Sequence, residues 1–164
     1  MAKSKEQIIM GIDPGVANTG YGLIRKRGEK LELIDYGCIT TSSQFAFRER
    51  LEKIHKDLKK IIRKYKPTEI AIEKIFFCKN VKTALMVGEA RGVALLVSIQ
   101  SGLTLSEFTP LEVKQAITSY GRASKGQIQE MVRVLLNLEK IPKPDDAADA
   151  LAVAICCVQT KRFK

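Results

Sequence analysis

The chain has 164 residues, of which 45% are hydrophobic and 28% are charged. This composition excludes a disordered or fibrous protein, and the length fits a single domain over residues 1–164 with a core of its own. The 28 Lys and Arg residues outnumber the 18 Asp and Glu residues, and the net charge of +10 favours a polyanionic partner without indicating an enzyme.

The N-terminal residues and the cysteines indicate a cytoplasmic protein. Residues 1–7 lack the apolar stretch of a signal peptide, and the longest apolar run is far short of a membrane span, so we expect no membrane association. No pair among the four cysteines has the C-x-x-C spacing of a zinc site, and we expect reduced thiols. The cysteines are Cys38, Cys78, Cys156 and Cys157.

Apolar periodicity and turn residues divide the chain into ten elements. In chain order these are strands at 8–12, 21–25 and 31–40, a helix at 47–65, a strand at 70–72, a helix at 80–101, a strand at 103–108 and three helices beginning near 110, 125 and 146. This order predicts an α/β fold with a mixed five-stranded sheet and helices on both faces.

Two of the predicted helices have patterns that bear on partners. The helix at 47–65 is amphipathic, and its basic side is more typical of a solvated surface than of a DNA contact; His55 on it is expected to be solvated. The helix at 80–101 is apolar on most sides and must be covered all round, by a sheet and by either more core or a second subunit. Gly88 and Gly92 in it would allow close approach of another backbone.

The last three helices have recognisable beginnings. Thr109, followed by Pro and by Glu112, has the pattern of an N-cap with a capping box. Ser124 repeats this pattern for a helix that we expect to run through about Leu138. Asp145 is expected to cap the last helix, over residues 146–159.

Four carboxylates occupy positions where a metal site can form. Asp13 and Glu73 end two strands, and Asp146 and Asp149 lie three apart in the first turns of the last helix. Strand ends and a helix start can converge on one pocket in an α/β fold. Two divalent ions about 4 Å apart would neutralise these acids and assist phosphodiester hydrolysis, so the sequence favours a metal-dependent nuclease.

Each of these acids also has an ordinary structural explanation. Asp13 precedes Pro14 and Gly15 and fits a turn, Glu73 fits a surface acid after a strand, and Asp146 fits a second capping residue. Asp149 is harder to explain in this way, because its neighbours are small and apolar.

Several sequence blocks, taken together, resemble the RuvC family of Holliday-junction resolvases. They are Gly11-Ile12-Asp13-Pro14-Gly15 with Thr19-Gly20-Tyr21-Gly22, then Ala71-Ile72-Glu73-Lys74-Ile75-Phe76, Ala90-Arg91-Gly92-Val93, and Asp146-Ala147-Ala148-Asp149-Ala150-Leu151-Ala152. The similarity runs from about Ile8 to about Val158, and the blocks in this order are specific although each alone is weak.

The resemblance implies an RNase H-like fold and a homodimer that resolves four-way junctions by paired symmetric nicks in recombination and repair. It implies two Mg²⁺ ions per subunit, with Mn²⁺ as a substitute, and a branch-migration helicase complex of the RuvA and RuvB type as a partner. The implied metal ligands and catalytic residues are Asp13, Glu73, Asp146 and Asp149. The resemblance also implies that Lys114 and Lys125 lie beside these acids and help to bind and cut the junction. The alternative for both lysines is that they belong to a solvated helix surface.

Further DNA contacts are expected around this site. Phe76 matches a family aromatic that contacts bases; either it or Phe77 could stack on DNA, and the alternative is that one or both belong to the core. The basic residues expected to bind phosphate are Lys79, Lys82, Lys114, Arg122 and Lys125. Asp145 is an additional acid that could cap the helix or compete as a ligand.

Two other classes of protein share some of these features. A phosphate-binding ATPase or kinase domain of the actin and sugar-kinase type has a similar first loop, but such enzymes need two subdomains and a longer chain, and no G-x-x-x-x-G-K-[ST] loop is present. A module that binds DNA without cutting it would not need the four acids, which hinder DNA binding unless a metal neutralises them.

Overall fold

A computed structural model of the chain describes residues 6–75 and 79–160. Within these residues the elements are β1 (Gln7–Asp13), β2 (Asn18–Arg27), β3 (Lys30–Thr40), α1 (Phe47–Tyr65), β4 (Glu69–Glu73), α2 (Val81–Gln100), β5 (Thr104–Phe108), α3 (Pro110–Thr118), α4 (Lys125–Leu135) and α5 (Asp145–Thr160). The predicted order of elements is confirmed.

The five strands form one mixed sheet in the order β3-β2-β1-β4-β5. The strands β1, β2 and β3 pair antiparallel, and β1, β4 and β5 pair parallel. The carboxyl ends of β1 and β4 therefore lie side by side at one edge of the sheet, which is where ligand sites form in open α/β sheets.

Each face of the sheet has its own core. On one face the helices α3, α4 and α5 pack on Ile9, Ile24 and Ala71. On the other face α1 and α2 pack on Met10, Ile12 and neighbouring strand residues. Helices on both faces were predicted, and the fold confirms them.

Glycines allow α5 to pack closely across β1 and β2. A Cβ atom at Gly11 would lie 1.9 Å from the backbone oxygen of Ala150, and one at Gly20 would lie 2.0 Å from the backbone oxygen of Asp146. A Cβ at Gly22 would lie 2.6 Å from the Leu151 side chain. Any side chain at these positions would push α5 off the sheet, so the three glycines fix where the first turns of α5 lie.

The helix α2 is covered on one side only. It packs against α1 and β5, and its opposite side exposes Val81, Leu85, Leu96 and Ile99. We expected every apolar run to be far short of a membrane span. The helix α2 nevertheless has the length and composition of a membrane-spanning helix, and 22% of its most apolar 18-residue segment is buried. Length and composition alone are weak grounds for a membrane helix, because helices of soluble proteins also have them.

Two local expectations, both at helix ends, were wrong. The helix α5 begins at Asp145, and Pro144 occupies the capping position, its carbonyl accepting hydrogen bonds from the backbone of Ala147 and Ala148. The helix α4 ends at Leu135 rather than near Leu138, because the chain turns through Asn137 in a left-handed conformation. His55 is half-buried, and its Nε2 lies 3.3 Å from Oε1 of Gln100.

Candidate active site

Strand alternation places two of the predicted acids on the same face of the sheet. Successive side chains of a strand point to opposite faces. Ile9 in β1 and Ala71 in β4 contact the core under α5, so Asp13 and Glu73, at even spacing from them, point to that face as well. Both acids end parallel neighbouring strands, and the α5 side of this sheet edge is therefore acidic.

The first two turns of α5 bring the other two acids to this edge. Asp146 and Asp149 lie three residues apart and project from the same side of the helix. Carboxylate oxygens of Asp13, Asp146 and Asp149 lie within 4.8 Å of one another. Glu73 stands outside this trio and lines a cleft with Asp149.

The acids raise each other's affinity for protons. Burial first, and then the charges of Asp149, Asp146 and Glu73, raise the pKa of Asp13 to about 8. Burial and the charge of Asp149 raise the pKa of Glu73, and burial also raises the pKa of Asp149 against the lowering effect of Lys125. Such a set of acids is electrostatically incomplete without cations.

The trio and Glu73 fit divalent metal ions. Carboxylate oxygens are the ligands that Mg²⁺ and Mn²⁺ prefer. The shared proton affinity of the acids shows an excess of negative charge that a cation would relieve. Asp13, Asp146 and Asp149 are close enough to hold one ion jointly, and Glu73 lines the adjoining cleft with Asp149.

Two lysines line the cleft that opens on Glu73 and Asp149. The cleft has a volume of about 240 Å³ and includes Lys114 of α3 and Lys125 of α4. Nζ of Lys125 lies 3.2 Å from Oδ2 of Asp149. Burial disfavours the ammonium of Lys125, but the hydrogen bond and charge of Asp149 raise its pKa overall. The two lysines therefore lie beside the acids, as expected for groups that contact a phosphate there.

The structure gives Asp145 a place outside the carboxylate trio. Its carboxylate accepts a hydrogen bond from Lys143 at 2.7 Å and lies 3.7 Å from Nζ of Lys125. The hydrogen bond from Lys143 lowers the pKa of Asp145. Asp145 is therefore neither a helix cap nor a member of the trio, and it contacts the ammonium of Lys125 opposite Asp149.

The other predicted phosphate contacts have exposed side chains. Lys79 and Lys82 flank the start of α2, and Arg122 lies in the loop between α3 and α4. None of the three lines the cleft of the carboxylates. Phe76 and Phe77, like Cys78, lie outside the described residues, so the stacking prediction stays a prediction.

Two arginines near the site were missed by the sequence analysis. Arg91 of α2 donates from Nε to the backbone carbonyl of Glu73 at 3.2 Å and pairs with Glu107. Arg50 of α1 donates from Nε to the Thr41 hydroxyl at 2.8 Å, beside the turn after β1. The only signal for Arg91 was its place in a block shared with the RuvC family, and Arg50 had no signal beyond its charge.

Fold and site together define an α/β domain of the RNase H-like class with a carboxylate cluster suited to divalent cations. The family model described as crossover junction endodeoxyribonuclease RuvC matches residues 9–157. A crossover junction endodeoxyribonuclease RuvC of Alkaliphilus oremlandii is 56% identical over 156 residues, which cover 95% of each chain. The chain belongs to the RuvC family.

Solved structures agree with this assignment. Thermus thermophilus RuvC in complex with Holliday junction substrate superposes with a TM-score of 0.91 at 32% identity, over 96% of both chains. The yeast mitochondrial Holliday junction resolvase Ydc2 superposes with a TM-score of 0.68 at 15% identity, covering 94% of this chain and 80% of its own, and shares the fold. The ATPase alternative is wrong, because the family match spans nearly the whole chain.

Proposed function

We propose that this protein is a divalent-metal-dependent endonuclease that resolves four-way DNA junctions by paired symmetric nicks, in homologous recombination and DNA repair. The observation that carries the proposal is the convergence of Asp13, Asp146 and Asp149 within 4.8 Å, with Glu73 on the neighbouring strand. Family membership supplies the substrate, since a solved relative is described in complex with a Holliday junction.

The four carboxylates would hold two Mg²⁺ ions, with Mn²⁺ as a substitute. Such ions, when bound, neutralise charge on the scissile phosphate and lower the pKa of the attacking water. The protein's own part is to fix the ligands. Asp13 and Glu73 are held by adjacent strands, and the close packing of α5 on Gly20 fixes Asp146 beside them.

Lys114 and Lys125 would act on the DNA side of the cluster. Both line the cleft with Glu73 and Asp149, so a phosphodiester that enters this cleft meets the two lysines beside the acids. In the free protein Lys125 pairs with Asp149, and its ammonium would be able to donate to a phosphate oxygen if cations took over the Asp149 carboxylate. A charged donor at this position would stabilise negative charge that develops on the phosphate during cleavage.

Paired nicks need two active sites, and we propose that a second copy of the chain covers the exposed side of α2. That side carries an apolar stripe at helical spacing, made of Val81, Leu85, Leu96 and Ile99, with the exposed Glu89 and Gly92 between its two halves. Exposed apolar side chains spaced three and four apart are typical of a helix–helix interface. A Cβ at Gly92 would meet nothing within 4 Å in one subunit, which leaves space for a partner helix.

Two further proposals rest on the family assignment and the thiols. We propose that the enzyme acts in the cytoplasm, which agrees with the reduced thiols of Cys38 and Cys156. We also propose that it works with a branch-migration helicase complex of the RuvA and RuvB type.

One experiment tests substrate and metal together. The protein is incubated with a synthetic four-way junction and with a linear duplex of the same arm sequence, in Mg²⁺, in Mn²⁺ and in EDTA. The parent is expected to cut the junction with either metal, to leave the duplex intact and to be inactive in EDTA. Asp13→Asn is the matched control and should bind without cutting. A parent that binds the junction but cuts nothing in either metal would overturn the proposal.

A further inference from the structure

A second cleft meets the carboxylate trio from another direction. It has a volume of about 370 Å³, and its walls are the turn between β1 and β2, the side chain of Arg50 and the first turns of α2. Asp146 forms part of its lining. This cleft shares no lining residue with the one that holds Lys114 and Lys125, so the acids lie between two separate openings.

Arg50 is the cationic residue of this second cleft, and the protein holds its side chain in place. Its Nε donates to the hydroxyl of Thr41 at 2.8 Å. That hydroxyl in turn donates to the carbonyl of Val16 at 2.5 Å, and the Thr41 amide donates to the carbonyl of Ala17 at 3.0 Å. The arginine is thus tied to the turn that directly follows Asp13.

The terminal nitrogens of Arg50 are free to bind a ligand. Across residues 6–75 and 79–160, Arg50 forms no ion pair, and its one side-chain hydrogen bond uses Nε. A half-buried guanidinium whose stem is fixed and whose terminal N–H groups are unpaired loses little conformational entropy when it binds an anion. The planar pair of terminal nitrogens matches two oxygens of a phosphodiester.

We propose that Arg50 binds a backbone phosphodiester of the cleaved strand, next to the scissile phosphate on the Asp146 side of the metal cluster. The inference rests on the proposed function, because it assumes that a DNA strand crosses the carboxylates. Lys114 and Lys125 then contact the strand on one side of the cut and Arg50 on the other, so that phosphate contacts on both sides fix the register of the strand over the acids.

The test couples a protein substitution with removal of one phosphate charge. Four-way junctions are made with a single methylphosphonate at each position within about three nucleotides of the cut on the cleaved strand. Single-turnover cleavage is measured for the parent and for Arg50→Ala. Because a hydrogen bond to a charged group contributes about a factor of ten or more, Arg50→Ala should slow cleavage at subsaturating protein at least about tenfold.

The decisive result is non-additivity. At one flanking position, methylphosphonate should slow the parent about tenfold and should not slow Arg50→Ala further. Arg50→Ala should also lower the slope of log Kd for the junction against log salt by about 0.9. Arg48→Ala, a change of an exposed arginine on the same helix, should match the parent in both measurements.

Two further variants guard against a merely structural effect. Arg50→Gln keeps a donor for Thr41 but loses the charge, and it should behave like Arg50→Ala while melting like the parent. Thr41→Val keeps the guanidinium and should retain the coupling to the phosphate. If the slowing by Arg50→Ala and the slowing by methylphosphonate multiply at every position, the inference is overturned. The proposed function still stands in that case, provided that the parent cleaves the junction. A parent that cuts no unmodified junction would overturn both.

Discussion

The guanidinium of Arg91 donates from Nε to the backbone carbonyl of Glu73, at 3.2 Å. The same side chain pairs with Glu107 at the end of β5 and is largely buried. Arg91 belongs to α2, whose outer side carries the exposed apolar stripe. A single side chain therefore links the proposed subunit interface to the strand end that carries a proposed metal ligand.

Replacing Arg91 should impair cleavage more than binding. In Arg91→Ala the Glu73 carbonyl loses its partner, and the strand end can shift relative to the trio. We expect the single-turnover rate to fall at least about tenfold, with junction Kd within about twofold of the parent. Glu107→Gln leaves the hydrogen bond from Arg91 to Glu73 in place and should reduce the cleavage rate much less. Equal losses in both variants would mean that the ion pair, and not the carbonyl contact, matters.

Metal binding should become tighter as the pH rises. The pKa of Asp13 is raised to about 8 in the metal-free protein, so a cation must displace a proton there over most of the neutral range. Apparent affinity for Mg²⁺, measured by calorimetry, should improve by up to about tenfold per pH unit between roughly pH 6 and 8. In Asp13→Asn this dependence should weaken sharply. An affinity that does not change with pH would contradict the raised pKa.

The stability of the metal-free protein should show the opposite trend. A carboxyl with a raised folded-state pKa stabilises the fold below its unfolded value near 4, and this contribution is lost as pH rises through about 8. The melting temperature in EDTA should therefore fall across that window relative to Asp13→Asn. Addition of Mg²⁺ should raise it most at the alkaline end. A parent that follows the same curve as Asp13→Asn in EDTA would contradict this prediction.

Lys125 and Asp145 should differ greatly in their effect on cleavage. Lys125 lies beside Asp149 in the cleft, and Lys125→Ala should slow single-turnover cleavage by about a hundredfold, as expected for loss of a charged donor at a reacting phosphate. Asp145 pairs with exposed lysines outside the trio, and Asp145→Asn should slow it less than about fivefold. A loss for Asp145→Asn as large as that for Asp149→Asn would instead make Asp145 a metal ligand.

Two glycine substitutions should separate the fold from the subunit interface. In Gly20→Ala the new methyl would clash with the backbone of Asp146, which should cost about 1–3 kcal/mol and displace the acid. The melting temperature of Gly20→Ala should fall by about 2–4 °C for each kcal/mol of lost stability, and cleavage should be lost. A methyl group at Gly92 would have open space within one subunit, so Gly92→Ala should have a melting temperature no lower than that of the parent. The same variant should nevertheless form a weaker dimer, as measured by light scattering. A fully dimeric Gly92→Ala would argue against close approach at this point.

Much of the fold could be predicted because each element carried its own local pattern. The amphipathic helix α1 and the capping boxes of α3 and α4 lie where the sequence indicated. Ends without such a signal were predicted less well. The end of α4 depends on a left-handed Asn137, and the start of α5 on the carbonyl of Pro144, and neither has a distinctive local pattern.

The carboxylates of the site could be predicted, but their surroundings could not. Strand ends and a helical spacing of three identified the acids from local sequence. The contacts of Arg91 with Glu73 and of Arg50 with Thr41 join residues from separate elements. No periodicity signals such pairs, since they depend on how whole helices pack on the sheet.

The most direct test of the account is to map the nicks in a labelled four-way junction incubated with Mg²⁺. The parent should nick two strands of like polarity at symmetric positions. Each of four variants should bind the same junction and leave it uncut: Asp13→Asn, Glu73→Gln, Asp146→Asn and Asp149→Asn. Unpaired nicks scattered over all four strands would contradict the paired-nick mechanism. Cleavage at the parent's rate by any of these variants would contradict the role of the four carboxylates.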